Sequence, residues 1–99
     1  MTKSFYEWTE NHFETLDLYT AAITRAHGKN HPEAFSVRDL FVRIQSKVQK
    51  AAGNVPDLTT EFAELQEITN HYAIPGDVCE TYAATYHLLE ELEQIYRSV

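Results

Sequence analysis

The segment at residues 67–93, EITNHYAIPGDVCETYAATYHLLEELE, decides the fold of this 99-residue chain. Its first residues continue an apolar pattern with helical spacing, and Pro75-Gly76 interrupts that pattern because proline lacks the amide hydrogen that a helix requires. Asp77 and Glu80 then have the spacing of a box-like helix cap. The segment therefore predicts the end of one helix, a turn and a longer amphipathic helix. The stripe of that longer helix is Val78, Tyr82, Thr85, Leu89, Leu92 and Tyr96.

The first of three earlier helical segments begins at a capping box and ends at a glycine. Ser4-Phe5-Tyr6-Glu7 has the S-x-x-E form, in which the serine and glutamate side chains bind free amide hydrogens at a helix start. Gly28 is typical of the left-handed residue after a helix, so the predicted helix has about 22 residues. Its apolar stripe contains Phe5, Trp8, His12, Leu16, Tyr19, Ile23 and Ala26.

Two shorter helices follow in the sequence. Pro32 suits the first position of the second helix, and Gly53-Asn54 ends it. Pro56-Asp57 opens the third. The second stripe contains Val37, Leu40, Phe41, Ile44, Val48 and Ala51, and the third contains Leu58, Phe62, Leu65, Ile68 and Tyr72.

These patterns predict an all-α fold, because no stretch alternates with the two-residue period of a strand. Four helices with connections of about four to six residues favour an antiparallel up-down-up-down four-helix bundle. We expect a single domain over residues 1–99.

Composition restricts the functional class. The net charge of −7 disfavours nucleic acid and anionic membranes as partners, since both require a basic surface. One cysteine excludes an internal disulfide. No apolar run approaches the roughly 20 residues of a membrane span, so we predict a soluble, cytoplasmic protein.

The fourth helix has a wider apolar face than one core stripe requires. Leu88, Leu92, Ile95 and Val99 form a second row beside the first. Either neighbouring helices of the same bundle cover this row or a second subunit does, and the second case predicts a twofold homodimer through this helix.

Charge is also uneven along the chain. Residues 1–50 carry seven Lys or Arg against six Asp or Glu, whereas residues 51–99 carry nine acids and only Arg97. The two halves could attract each other within or between subunits, although a solvated surface explains the same pattern.

The candidate chemical residues are histidines and one cysteine. His12 lies in the first stripe, which places it in the bundle interior as a hydrogen-bonded core residue or a metal ligand. His27 and His31 flank the first turn, where they either bind a cation or pack. Cys79 lies near the start of the fourth helix, and we interpret it as a packed, unreactive thiol.

The remaining candidates have simpler interpretations. His87 and Glu91 are four residues apart, which is a metal-binding spacing, but their face is opposite the fourth stripe and predicts a solvated pair. His71 falls off the third stripe and should be exposed. We therefore predict no catalytic residue, no cofactor-binding residue and no metal ligand among them.

Two segments resemble the hemerythrin-like iron–sulfur cluster repair proteins, the ScdA-type di-iron family. The first segment is similar to the family pattern L-T-N-x-Y-x-P-P-x-D-A-C-x-T-Y. The residues that carry this similarity are Glu67-Ile68-Thr69-Asn70, Tyr72, Pro75, Asp77, Cys79, Thr81 and Tyr82. AHGKNHPE at residues 26–33, continuing to VRDLF at 37–41, is similar to V-H-G-x-x-H-P-E and the helix after it. The resemblance covers most of residues 22–93. It implies a hemerythrin-like bundle, an oxo-bridged di-iron centre and repair of iron–sulfur clusters damaged by nitric oxide or oxidants.

The metal ligands that the resemblance implies are mostly missing. The early ligand histidine falls near Tyr6, and residues 51–56 read AAGNVP where the family has H-M-x-K-E-E. No E-H-D precedes Phe62, and the closing H-x-H-x-x-E-N-N motif is absent. Only His27 stands where a family ligand histidine would, and one imidazole cannot hold two irons.

The main functional hypothesis is therefore a non-enzymatic interaction protein without cofactor, a metal-free derivative of the repair fold that dimerises through Leu88, Leu92 and Ile95. The alternative is an iron- or zinc-binding protein of the nitrosative or oxidative stress response. Its site would combine His27 with His12 or His31, or would form across a dimer. A third hypothesis is a metal-free partner of a full-length repair protein.

Overall fold

The computed structural model describes residues 2–99, with side chains from residue 4 onward. Within this range the chain forms four helices and no strand, which confirms the all-α prediction: α1 Thr2–His27, α2 Glu33–Lys50, α3 Thr59–Ile68 and α4 Glu80–Arg97. α1 packs against α2 and α4, and α2 packs against α3. The Cα radius of gyration is 12.9 Å, close to the roughly 13 Å of a compact chain of this length. None of these helices is long and apolar enough to cross a membrane.

The core follows the predicted stripes most closely in α2 and α3. The α2 stripe is buried from Val37 to Val48, and Leu58, Phe62 and Leu65 are buried along α3 and at the residue before it. The largest fully buried side chains come from every helix: Phe5, Leu16, Ile23, Phe41, Ile44, Leu65, Tyr82, Tyr86, Leu89 and Leu92.

The α1 stripe differs from the prediction at several positions. Ala26 is exposed and Tyr19 is only half-buried, and the largest change is at residues 12 and 13. Phe13 is buried, and its ring meets Phe41 edge-on at 5.3 Å. His12 is only half-buried and lies against Trp8, with a centroid distance of 4.4 Å. The prediction of an interior His12 was wrong, because both neighbours fit a helical period and packing against α2 selects the phenyl ring.

The ends of α1 also differ from the prediction. The helix begins at Thr2, so Ser4 and Glu7 lie inside it and do not cap its start. Gly28 follows the last helical residue as predicted, but its φ is not left-handed. A Cβ at Gly28 would lie 2.6 Å from Cε2 of Phe35, so close packing at the turn is what requires glycine there.

The later connections are longer than predicted. Residues 51–58 join α2 to α3, with Ala52 and Gly53 at positive φ, and residues 69–79 join α3 to α4. α3 ends at Ile68, four residues before the predicted end of its stripe, and Asn70, His71 and Tyr72 are all left-handed. Three consecutive left-handed non-glycine residues store strain, which the surrounding contacts must offset.

The start of α4 is not capped as predicted. Cys79 is the residue before the helix and no side chain caps it, while Asp77 binds His31 instead. Along the helix, Leu92 is fully buried within the monomer. Leu88 and Ile95 are partly buried against the same core. Neighbouring helices thus cover much of the wide face, and dimerisation through α4 stays a prediction.

Candidate functional site

The end of α1 meets the start of α4 at His27 and Cys79. Nε2 of His27 lies 3.2 Å from Sγ of Cys79, although 52 residues separate them in the chain. Cys79 is exposed, so the prediction of a packed thiol was wrong. The physical reason is that α4 begins at Glu80, which leaves the thiol outside the buried stripe of that helix.

His31 is the second imidazole in this region, and carboxylates bind both of its nitrogens. Nδ1 lies 3.2 Å from Oε2 of Glu33, and Nε2 lies 2.9 Å from Oδ1 of Asp77. Desolvation lowers the pKa of His31, but the hydrogen bonds to Glu33 and Asp77 raise it by more, so its pKa lies above 6.5. The protonated ring, with two N–H donors, matches both carboxylates.

The ring of Tyr82 packs against both imidazoles. Its ring is fully buried and meets His27 edge-on at 5.3 Å and His31 at 5.7 Å between centroids. Its hydroxyl lies 3.1 Å from that of buried Tyr86, and burial raises the pKa of both phenols. We call His27, His31, Asp77, Cys79 and Tyr82 the histidine cluster.

The histidine cluster does not converge on one point. The two imidazole centroids are 6.3 Å apart, one ring nitrogen faces a thiol, and the other ring faces carboxylates. Within residues 2–99, no group of three or more His, Cys, Asp or Glu side chains is arranged to hold a metal ion. The arrangement can hold a proton at His31 and presents one accessible sulfur.

The other predicted candidates lie elsewhere. His12 is fifteen residues before His27 on the same helix, about 22 Å along the axis at 1.5 Å per residue, so the two cannot share an ion within one chain. His71 is exposed, as predicted. His87 and Glu91 are also exposed, but Glu91 is not simply solvated, because Trp8 Nε1 donates to its Oε1 at 2.5 Å.

A buried carboxylate network was not anticipated from the sequence. Glu93 is 3% exposed, and its oxygens accept hydrogen bonds from Tyr72, Gln66 and Arg97. Tyr72 OH donates to Oε1 at 2.7 Å, and Arg97 Nε donates to Oε2 at 2.7 Å. The sequence feature that could have indicated it is the four-residue spacing of Glu93 and Arg97, because oppositely charged residues at this spacing on a helix form a stabilising pair.

A half-open cleft lies between α3 and α4 beside this network. Its volume is about 490 Å³, within the range of small-ligand sites. Its lining includes the rings of Phe62 and Tyr96, with centroids 5.3 Å apart, and the polar side chains of Gln66, His71 and Arg97. None of the histidine cluster lines it.

A second buried carboxylate lies between α2 and α3. Glu61 is 2% exposed, and its Oε2 is 2.8 Å from Nζ of Lys47. Its Oε1 makes no hydrogen bond with the part of the chain that the structure describes. This ion pair ties the start of α3 to the end of α2.

Comparison with known proteins identifies a distant relative. The chain is 20% identical over 121 aligned positions to the iron-sulfur cluster repair protein ScdA of Staphylococcus haemolyticus strain JCSC1435. The alignment covers 91% of this chain and 54% of ScdA, so the chain spans about half the length of that relative. No family model and no solved structure matches the chain. These findings support a distant relationship to a cluster repair protein.

Proposed function

We propose that this chain is a non-enzymatic, metal-free interaction protein on a hemerythrin-like, antiparallel four-helix bundle derived from the cluster repair fold. The weak similarity to ScdA supports the lineage. The order of packed pairs, α1 with α2 and α4 and α2 with α3, agrees with an up-down-up-down bundle. A cytoplasmic location stays a prediction.

The proposal rests on the side chains found at the positions where the resemblance would place metal ligands. Tyr6 stands near the position of the early ligand histidine, and its hydroxyl donates to the carbonyl oxygens of Asn54 and, at 3.4 Å, Val48. Val55, beyond the end of α2, packs against the core. Side chains at both positions close the bundle with packing and hydrogen bonds in place of ligands.

The donors that remain do not fit a di-iron centre. Such a centre needs imidazoles and bridging carboxylates that point inward from several helices. Here most of the buried side chains are aliphatic or aromatic, and His27 lies at one end of the bundle, against Cys79. The buried carboxylates Glu61 and Glu93 are bound to Lys47 and Arg97.

Elemental analysis tests the metal-free part of the proposal. Protein purified without chelator, and protein incubated with iron(II) or zinc(II) and then desalted, should carry far less than one metal per chain. The double variant His27→Ala, Cys79→Ser serves as the matched control and should retain the same trace amount. Stoichiometric iron or zinc in the wild type, lost in the double variant, would overturn the proposal in favour of the metal-binding alternative.

The interaction part has its own test. As the third hypothesis from the sequence states, a metal-free relative of the repair fold can act by binding a full-length repair protein. Titration calorimetry with a full-length ScdA-type protein from the same cell should give a saturable isotherm. Absence of binding, together with turnover of a substrate by this chain alone, would contradict a non-enzymatic interaction role.

A further inference from the structure

Cys79 and His27 lie together at the solvent-exposed junction between the end of α1 and the start of α4. Sγ of Cys79 is 3.2 Å from Nε2 of His27, which is within reach of a direct proton transfer. Cys79 is exposed and His27 is half-buried, so small molecules in solution reach the sulfur. The nucleophilic form of cysteine is the thiolate, and an imidazole that accepts the thiol proton generates it. The pair therefore contains both groups that an activated thiol requires.

Packing fixes the position of the His27 ring. His27 is the last residue of α1, and the ring of Tyr82 meets it edge-on, with centroids 5.3 Å apart and an angle of 90° between the planes. Tyr82 is fully buried and follows Cys79 by one turn of chain at the start of α4. The same short segment thus carries the sulfur and the ring that orients its base, and an orienting group is the third part of an activated nucleophile.

Charge restricts the class of electrophile that suits this sulfur. Asp77 and Glu80 lie within two residues of Cys79, and the whole chain has a net charge of −7. The neighbouring imidazole of His31 is paired with Glu33 and Asp77, so its positive charge is already balanced. The surrounding negative charge repels anionic reactants and has little effect on uncharged ones. A small uncharged oxidant, such as hydrogen peroxide or an alkyl hydroperoxide, fits these conditions.

We propose that Cys79 is oxidised by hydroperoxides and that His27 transfers the proton in this step. Nε2 of His27 takes the proton of the thiol, and Sγ attacks the hydroxyl oxygen of the peroxide. An S–O bond forms and the O–O bond breaks, so the sulfur loses two electrons and the peroxide gains them. The proton on His27 passes to the departing oxygen, which leaves as water or an alcohol, and Cys79 becomes a sulfenic acid.

The single cysteine determines the fate of this sulfenic acid. Because the chain has no second thiol, a thiol from another molecule must condense with the sulfenic acid, with loss of water and formation of a mixed disulfide. Each chain is oxidised once and is not regenerated by its own residues. The modification is therefore not a turnover, and it is independent of the proposed function, which concerns metal content and binding.

The rate of oxidation by hydrogen peroxide tests the role of His27. Dimedone traps the sulfenic acid, and intact-protein mass spectrometry measures the adduct. His27→Gln should lower the rate by about tenfold at about pH 7, because an ordinary thiol is only a few per cent ionised at that pH. The difference should disappear near pH 9.5, where a thiol ionises without a base. His87→Gln, which changes an exposed histidine of α4, is the matched control and should react like the wild type.

Two outcomes of this experiment would overturn the proposal. Equal rates for the wild type and His27→Gln at about pH 7 would show that the imidazole takes no part in the step. A loss of rate in His27→Gln that is the same at about pH 7 and pH 9.5 would assign the effect to altered access to the sulfur.

The wild type gives a second measurement that does not depend on the folding of any variant. His27 and Cys79 are 52 residues apart in the chain, so unfolding in urea separates the base from the thiol. At about pH 7 the native protein should therefore be oxidised about tenfold faster than the unfolded protein. A native rate equal to or below that of the unfolded chain would overturn the proposal.

Discussion

The hydroxyl of Tyr72 donates a 2.7 Å hydrogen bond to Oε1 of Glu93, which joins the strained end of the α3–α4 connection to the buried face of α4. Tyr72 is the last of three left-handed residues, and its amide also donates to Oγ1 of Thr69 at 2.9 Å. Strain of this kind persists only where surrounding contacts determine the backbone. The Glu93 carboxylate is therefore a structural anchor for residues 70–72.

Removal of this anchor should destabilise the protein. Glu93→Ala leaves the Tyr72 hydroxyl and the Gln66 amide without their acceptor, and we expect a loss of about 2–4 kcal/mol in the free energy of unfolding. Glu90→Ala on the exposed side of the same helix is the control, with an expected change within about 0.5 kcal/mol. Urea denaturation measures both, and equal effects of the two variants would contradict the anchoring role.

Stability should fall at alkaline pH. Burial, together with the Glu93 carboxylate, raises the pKa of Tyr72, and burial also raises the pKa of Tyr82 and Tyr86 above the ordinary value of 10.0. These phenols are neutral in the folded protein but ionise near pH 10 when it unfolds. Their contribution to the free energy of unfolding is therefore complete below about pH 10 and is lost as the pH rises above that value.

Urea denaturation across this range, with tyrosinate absorbance recorded in parallel, measures the alkaline effect. Tyr86→Phe should make the free energy of unfolding fall less steeply with pH, since this variant lacks one phenol with a raised pKa. Ionisation of every tyrosine near pH 10 in the folded state would contradict the burial of these hydroxyls.

The protonation of His31 should stabilise the protein on the acid side of neutrality. Because its folded pKa lies above 6.5, its contribution is complete below about pH 6.5 and is lost as pH rises through the folded pKa. The wild type should therefore lose stability relative to His31→Gln as pH rises above about 6.5. Imidazole NMR titration gives the pKa directly, and exposed His87→Gln is the control. A folded pKa at or below 6.5 would refute the pairing with Glu33 and Asp77.

The first turn should not tolerate a methyl group at Gly28. A Cβ there would meet the Thr24 carbonyl oxygen at 2.5 Å and the Phe35 ring at 2.6 Å, so Gly28→Ala should cost about 1–3 kcal/mol in unfolding free energy. Gly76→Ala is the matched control, because its Cβ would meet nothing within 4 Å and its φ is not left-handed. That variant should be neutral or gain up to about 1 kcal/mol. A tolerated Gly28→Ala in thermal denaturation would show that α1 and α2 pack less closely there.

Cys79 should react in the native state. Its exposure predicts that an aromatic disulfide reagent modifies one thiol per chain without denaturant. Cys79→Ala should abolish the reaction and leave stability within about 0.5 kcal/mol. A thiol that reacts only after unfolding would contradict the position of Cys79 outside the core.

Local sequence patterns predicted most of the helical structure. The four helices and the breaks between them follow from helical periodicity and from proline and glycine, which act within a few residues of themselves. The α2 stripe from Val37 to Val48 is buried as predicted, because each side chain repeats on one face of its own helix.

The same patterns failed where two adjacent residues fit one stripe. His12 and Phe13 both suit the apolar face of α1, and only contact with Phe41 selects Phe13 for the core. Similarly, the spacing of Asp77 and Glu80 matches a helix cap, but His31 lies close enough to bind Asp77, and α4 starts without a side-chain cap.

By itself, the sequence determined that this chain is helical and roughly where its helices lie. Only the tertiary structure decided that His27 meets Cys79, that His31 meets Asp77 and that Tyr72 meets Glu93. The physical reason is range: helical periodicity is a property of neighbouring residues, whereas these pairs are 52, 46 and 21 residues apart and meet only when the helices pack.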